Sequence, residues 1–150
     1  MKKSITAVLA VFLVFIVAAM GYSADVKKGI HIGNAGAFTG DAAAPCMEIY
    51  NSAQIAVDEW NAKGGIQGVK IEHIMGDDAM DPAQGVNVAH KFVADKLMYG
   101  VIGPPMSHIA QATLKIYAGA DMAQITTSAS KPDLTEQGYQ NFFRVNARND

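Results

Sequence analysis

The sequence predicts an α/β fold, a doubly wound and mostly parallel sheet with helices on both faces, on two observations. Short apolar runs alternate with amphipathic patterns of a dozen or more residues from residue 30 onward. That alternation is the mark of βαβ crossovers, which join parallel strands. The segments that follow the apolar runs are rich in Gly, Pro, Ser and Thr, as the loops at the carboxyl ends of parallel strands are.

The elements follow in order. Ile-His-Ile-Gly-Asn at residues 30–34 reads as a first strand. Residues 47–62 read as a helix, with Ile49, Ala53, Ala56, Val57 and Trp60 on one face at three- and four-residue spacing. Lys63-Gly64-Gly65 stops it, glycine supplying the left-handed cap. Residues 69–75 form a second strand, in which Val69, Ile71, His73 and Met75 alternate with Lys70 and Glu72. Asp77, Asp78, Ala79 and Met80 read as a solvated loop, and Asp81-Pro82 opens a second helix as cap and first-turn proline. Its buried stripe is Val86, Ala89, Val93 and Leu97. A third strand at 99–103, a third helix at 107–119 and a fourth strand at 122–127 precede a turn-rich stretch, 128–140, and a last apolar run at 142–145. The pattern stops after a strand with no helix to cover it, as in a chain truncated before a further lobe or in a small five-stranded domain.

The N-terminus has a different character. Lys2 and Lys3 precede an apolar run from Ile5 to Ala19 interrupted only by Thr6, and small residues follow at Gly21, Ser23 and Ala24. This is the layout of a secretory signal peptide, and its core is short against the ~20 residues of a membrane span, which disfavours a retained anchor helix. Cleavage after Ser23 puts Gly21 at −3, whereas cleavage after Ala24 would put bulky Tyr22 there. The expected division is a signal peptide at residues 1–23 and a lobe at 24–150. No cysteine stands near the junction, so a lipid anchor is not expected.

Without Lys2 and Lys3, 10 basic residues stand against 14 acidic ones, a net charge near −4. Nothing basic is clustered, which argues against nucleic acid as a partner. Cys46 is the single cysteine, so no disulfide forms within this chain, and a small filler or free thiol is a simpler reading than a nucleophile.

In an open parallel sheet, ligands collect beyond the carboxyl ends of the strands. Residues 36–45, 104–107 and 127–131 fall there. Ser107 begins a helix after Gly103-Pro104-Pro105-Met106, where free amides and the helix dipole favour an anion. On its own it reads rather as a helix cap, a role compatible with offering its hydroxyl to a ligand, and Ser128 and Ser130 read as turn stabilisers. Cofactor and catalytic motifs are missing. Gly33, Gly36 and Gly40 lack G-x-G-x-x-G spacing, and there is neither a phosphate-binding G-x-x-x-x-G-K-[ST] nor a G-x-S-x-G. His31, His73, His90 and His108 lack metal-ligand spacing, and Asp77, Asp78 and Asp81 lack the glycine and glutamate of a calcium loop. No cofactor, no metal and no enzymatic activity are expected.

Asn61-Ala62-Lys63-Gly64-Gly65-Ile66-Gln67-Gly68, then Asp77-Asp78 with Asp81-Pro82, Val101-Ile102-Gly103 and Pro132-Asp133-Leu134-Thr135 closely resemble periplasmic leucine/isoleucine/valine-binding proteins. The likeness runs from about Ile30 to the last residue. It implies the first lobe of a type I periplasmic binding protein, with a second lobe beyond Asp150 and a hinge between them. It also implies capture of a branched-chain or related amino acid in the cleft, a periplasmic location and an ABC-type permease as partner. The implied ligand-binding residues are Ser107, Ser128, Ala129, Ser130 and Met106, the hydroxyls holding the amino acid's head group. Serine stands at 130 where relatives carry threonine, and Ser128 replaces a small apolar residue. No aromatic stands near Pro45, and Met80 and Met106 occupy the places of a cysteine pair found in some relatives. A ligand sensor with the same lobe, or a Rossmann-type enzyme, are the competing readings.

N-terminal sequencing of the mature protein should begin at Ala24, and a start more than a residue or two away would refute the assigned cleavage site.

Overall fold

The computed structural model describes residues 29–150, so the expected signal peptide at 1–23 lies outside the described residues. Five strands and three helices are described: β1 (Ile30–Gly36), α1 (Ala43–Ala62), β2 (Ile71–Asp77), α2 (Pro82–Ala94), β3 (Met98–Ile102), α3 (Ser107–Gly119), β4 (Ala123–Thr126) and β5 (Phe142–Arg144), with a 3-10 turn at Pro132–Thr135. Every strand pair is parallel, in the order β2-β1-β3-β4-β5.

The connections follow from handedness. The step from β1 to β2 runs one way across the sheet, and the steps from β2 to β3 and on to β4 run the other way. Right-handed crossovers therefore put α1 on one face and α2 and α3 on the opposite face. Gly36 ends β1 and Ile102 ends β3, so the strand order reverses between these two neighbours.

The face under α2 and α3 holds the main core. Ala35, Ala89, Phe92, Met98, Val101, Tyr117 and Met122 form one buried cluster, and Ala110, Leu114, Ala129, Leu134 and Phe142 continue it towards β5. Phe92 lies over two strand glycines: a Cβ on Gly33 would stand 2.7 Å from its ring, and one on Gly76 would stand 2.6 Å from it. The sequence stripe of Val86, Ala89, Val93 and Leu97 missed this residue. The helix buries Gly85, Ala89 and Phe92 instead, and Leu97 lies beyond its end. Glycines on the strands let the helix approach closely, which rotates the buried face towards the largest side chain.

On the other face α1 starts four residues earlier than its apolar pattern, with Pro45 in its first turn. Of the expected apolar stripe only Val57 is buried, and Trp60 is 54% exposed. The sheet-facing stripe is largely polar. Tyr50 stacks on His73, with ring centroids 4.2 Å apart and 6° between planes. Gln54 Oε1 lies 3.0 Å from His73 Nδ1. Asn61 exchanges two 2.8 Å hydrogen bonds with the backbone of Ile71. An apolar count could not find a helix seated by side chains that pair with the adjacent strand.

Helix α1 covers only the β1 and β2 half of its face. Beyond it the outer sides of β3, β4 and β5 stand open among the described residues, with Ile125 38% and Phe143 50% exposed. An open groove of about 760 Å³ runs between α1 and these strands, lined by Pro45, Ile49, Ala53, Ile102 and Ile125 and reaching Thr127 and Ser128.

Phe92 is 1% exposed. Phe92→Ala should cost about 3–5 kcal/mol, the usual penalty for emptying a buried aromatic site. Urea unfolding measures it; a loss under 1 kcal/mol would show that the core under α2 collapses around the gap.

Candidate functional site

The loops after β1, β3 and β4 meet at the carboxyl edge of the sheet. After β3, Gly103 takes a positive φ of 96°, and a Cβ there would run into the Ala35 carbonyl oxygen, so only glycine serves. The Gly103–Pro104 peptide is cis. Two buried polar side chains of β4 hold this segment: Gln124 Nε2 donates to Gly103 O at 3.2 Å, and Thr126 Oγ1 donates to Pro104 O at 3.1 Å. Helix α3 consequently begins at Ser107 in a fixed place, with its N-terminus on the sheet edge.

Ser107 does not cap that helix. The cap position is Met106, with no side-chain cap bond, and Ser107 is the first helical residue. Its Oγ instead accepts from the amides of Ser130 at 3.2 Å and Lys131 at 3.3 Å. The loop after β4 is thereby seated on the start of α3. A hydroxyl oxygen has two lone pairs and one proton. Both lone pairs of Ser107 are engaged, so its proton is left to donate. Bonds accepted at an oxygen also strengthen its O–H as a donor. The first amides of an α-helix have no acceptor inside it, and they add to the positive end of the dipole.

The other sequence-predicted residues fall around this point. Ala129 is 1% exposed and packs in the core cluster under Leu134, so its side chain faces inward. Its amide donates to Thr126 Oγ1 at 3.1 Å. Ser130 is half-buried beside Ser107, and Ser128 is exposed and lines the groove. Met106 is half-buried against the cluster of Ala37, Ala42 and Cys46, as an apolar wall. Sequence reasoning missed Gln124, Thr126 and Arg144, which hold the two loops; polar residues within strand runs were the available signal.

The loop after β1 is latched to β2. Asp77 Oδ1 accepts from the amides of Phe38 at 2.8 Å and Ala79 at 2.9 Å, and Oδ2 accepts from the Thr39 hydroxyl at 2.7 Å. Burial alone would raise the Asp77 carboxyl, but these hydrogen bonds overcome it and hold the group below its usual range. Asp81 caps α2 as the sequence suggests, accepting from Gln84 N at 2.8 Å. Asp78, read as a solvated loop residue, is fully buried, and burial pushes its carboxyl pKa up. Its Oδ1 accepts from Met80 N at 3.0 Å, because the chain turns inward to begin α2. Cys46 is buried, which raises its thiol pKa and keeps it protonated, as suits a core filler.

A doubly wound parallel sheet with short hydroxyls, helix amides and apolar side chains along its carboxyl edge is the architecture of a type I periplasmic-binding-protein lobe. The sequence profile described as periplasmic binding protein matches residues 29–150, and the chain belongs to that family. It is 37% identical over 148 residues to the Leu/Ile/Val-binding protein BraC3 of Rhizobium johnstonii, covering 99% of this chain and 38% of that protein. It is 40% identical over 127 residues to a Leu/Ile/Val-binding protein homologue of Brucella abortus, covering 85% of this chain and 33% of the relative. Among solved structures it is similar to the branched-chain amino acid transporter substrate-binding protein LivJ of Streptococcus pneumoniae, in complex with isoleucine. That match has a TM-score of 0.75 and 31% identity over 80% of this chain and 34% of that one. The chain thus spans between a third and two fifths of the length of these relatives.

Near this edge, His73 Nε2 lies 3.4 Å from the Asn34 amide nitrogen, and Asn34 is buried. With Nδ1 donating to Gln54 and Nε2 accepting from Asn34, the ring is satisfied only when neutral. Burial lowers the His73 pKa, with Asp58 opposing weakly. The folded state therefore binds this proton less readily than the unfolded chain. Stability should be full above the ordinary value of 6.5 and fall as pH drops below it. Urea midpoints at neutral and mildly acidic pH, compared with those of His73→Gln, check this; an equal acid loss in both proteins would remove His73 as the cause.

Proposed function

We propose that this chain forms one lobe of an exported solute-binding protein that captures an aliphatic amino acid and hands it to an ABC-type permease. The observation that carries the reading is the Ser107 hydroxyl. It has both lone pairs engaged and its proton free, and it stands on the N-terminus of α3 beside Ser130. Such a point suits a carboxylate, which gains from charge-assisted hydrogen bonds and from the helix dipole. The names of the relatives, which specify leucine, isoleucine and valine, support a branched-chain ligand.

In this reading Ser107 donates to the ligand carboxylate and Ser130 offers a second hydroxyl. Ser128 contributes its backbone at the groove end, Ala129 sets the turn from the core, and Met106 supplies an apolar wall. The cleft closes when a second lobe, carried by the part of the protein beyond Asp150, swings over this edge. The signal peptide at residues 1–23 sends residues 24–150 to the periplasm, where the permease collects the loaded form. No step of this function requires bond chemistry, which fits a binding protein rather than an enzyme.

Calorimetric titration of the intact protein with leucine, isoleucine and valine tests the reading. Ser107→Ala should weaken binding by about ten- to a hundredfold, the loss of one hydrogen bond to a charged group at 1.5–3 kcal/mol. The helix amides remain, so binding should survive in part. Unchanged affinity in Ser107→Ala would exclude the hydroxyl from the site.

A further inference from the structure

We propose that Arg144 is a positioning residue that holds the loop at residues 128–131 in its ligand-ready shape from the side opposite Ser107. This rests on the reading of that loop as part of an amino-acid site.

The backbone of the loop is held on two sides. On the amide side, Ala129 N donates to Thr126 Oγ1, and Ser130 N and Lys131 N both donate to Ser107 Oγ. On the carbonyl side, Arg144 Nη1 donates to Ala129 O at 2.9 Å and Nη2 donates to Lys131 O at 2.8 Å. The carbonyl between them, Ser130 O, accepts from Asn149 N at 3.1 Å. Every backbone polar group of residues 129–131 is engaged, and one guanidinium spans the first and last carbonyls.

Only arginine fits that task. Its fork is planar and its donors are rigidly spaced, so two carbonyls are fixed relative to each other by one side chain. A lysine ammonium is a point donor on a flexible stem and reaches the pair without fixing their separation. Arg144 sits on β5, whose backbone is registered against β4 through Thr126. The clamp therefore refers the loop to the sheet itself. None of the ion pairs among the described residues includes Arg144. Its bonds go to neutral oxygens: the two loop carbonyls and Thr135 Oγ1 at 3.4 Å. Asp150 is near enough to feel its charge, but every hydrogen bond of the guanidinium goes to a neutral oxygen, so its donors are spent on shape.

The consequence for binding is indirect. Drawing the Ala129 and Lys131 carbonyls to one side turns the intervening Ser130 amide towards Ser107, which occupies the Ser107 lone pair and leaves its proton for the ligand. Without the fork, the loop loses the geometry that makes Ser107 a donor, although both hydroxyls remain.

The test uses the intact protein with Arg144→Met and Arg144→Lys, read by calorimetry with leucine, isoleucine and valine and by amide hydrogen exchange at Ser130 and Lys131. Measurements are made well below the melting temperature, with far-ultraviolet circular dichroism confirming the fold. Arg144→Met should weaken binding about tenfold or more and lose protection at both amides. Arg144→Lys, which keeps the charge and loses the fork, should lose protection likewise and bind between the two. Should Arg144→Met fail to fold, Arg144→Lys decides alone. Wild-type affinity and protection in Arg144→Lys would overturn the proposal, since charge alone would then suffice. A wild-type protein that binds none of the three amino acids refutes the ligand reading, while amide protection still decides whether Arg144 holds the loop.

Discussion

A right-handed crossover leaving β1 can go to either side of it, and this chain uses both sides. The first crossover carries α1 to β2 and the second brings α2 back across to β3, so β1 is flanked by parallel partners whose connections lie on opposite faces. At the carboxyl ends of β1 and β3 the chain consequently diverges, and among the described residues no helix crosses the gap. The Asp77 latch, the start of α3 and the loop after β4 all open on this edge. Their chemistry is borrowed from that geometry, since none of these segments would present free amides or hydroxyls to one place otherwise.

Around the gap, polar side chains do the positioning that apolar packing does elsewhere. Gln124 and Thr126 point from β4 into the protein and hold the carbonyls of Gly103 and Pro104. Ser107 and Arg144 hold the next loop by its amides and its carbonyls. A loop with few apolar residues cannot be fixed by burial, and its backbone groups need partners wherever water is excluded. Hydrogen bonds supply both the partners and the shape. They also leave one proton over, that of Ser107, where an anion would meet a helix dipole.

The two faces of the sheet differ in how they are closed. Under α2 and α3, Phe92 over Gly33 and Gly76 and the buried Tyr117 form continuous apolar packing. Under α1, a small apolar cluster of Ile30, Val57 and Ile71 adjoins a stack of Tyr50 on His73 with Gln54, Asn34 and Asn61 beside it. The groove between α1 and the outer sides of β3 and β4 adjoins Ser128, so the candidate site is open on that side among the described residues.

The sequence by itself determined the α/β class, the order of elements and the family likeness. Strand and helix periods differ, and punctuation such as Asp81-Pro82 and Lys63-Gly64-Gly65 is local chemistry readable residue by residue. It also placed the segments at 104–107 and 127–131 just beyond the ends of strands, where the structure has them after β3 and β4. Tertiary structure alone decided what Ser107 does. Its position at the start of a helix suggested a cap, yet its oxygen is used by a loop twenty-three residues on, a contact no local pattern encodes. Which face of α1 is buried was likewise decided across space, by His73 and Ile71 pairing with Tyr50, Gln54 and Asn61. Hydrophobic periodicity reports burial in oil-like surroundings; it is silent where a helix is seated, or a loop held, by hydrogen bonds to residues distant in the chain.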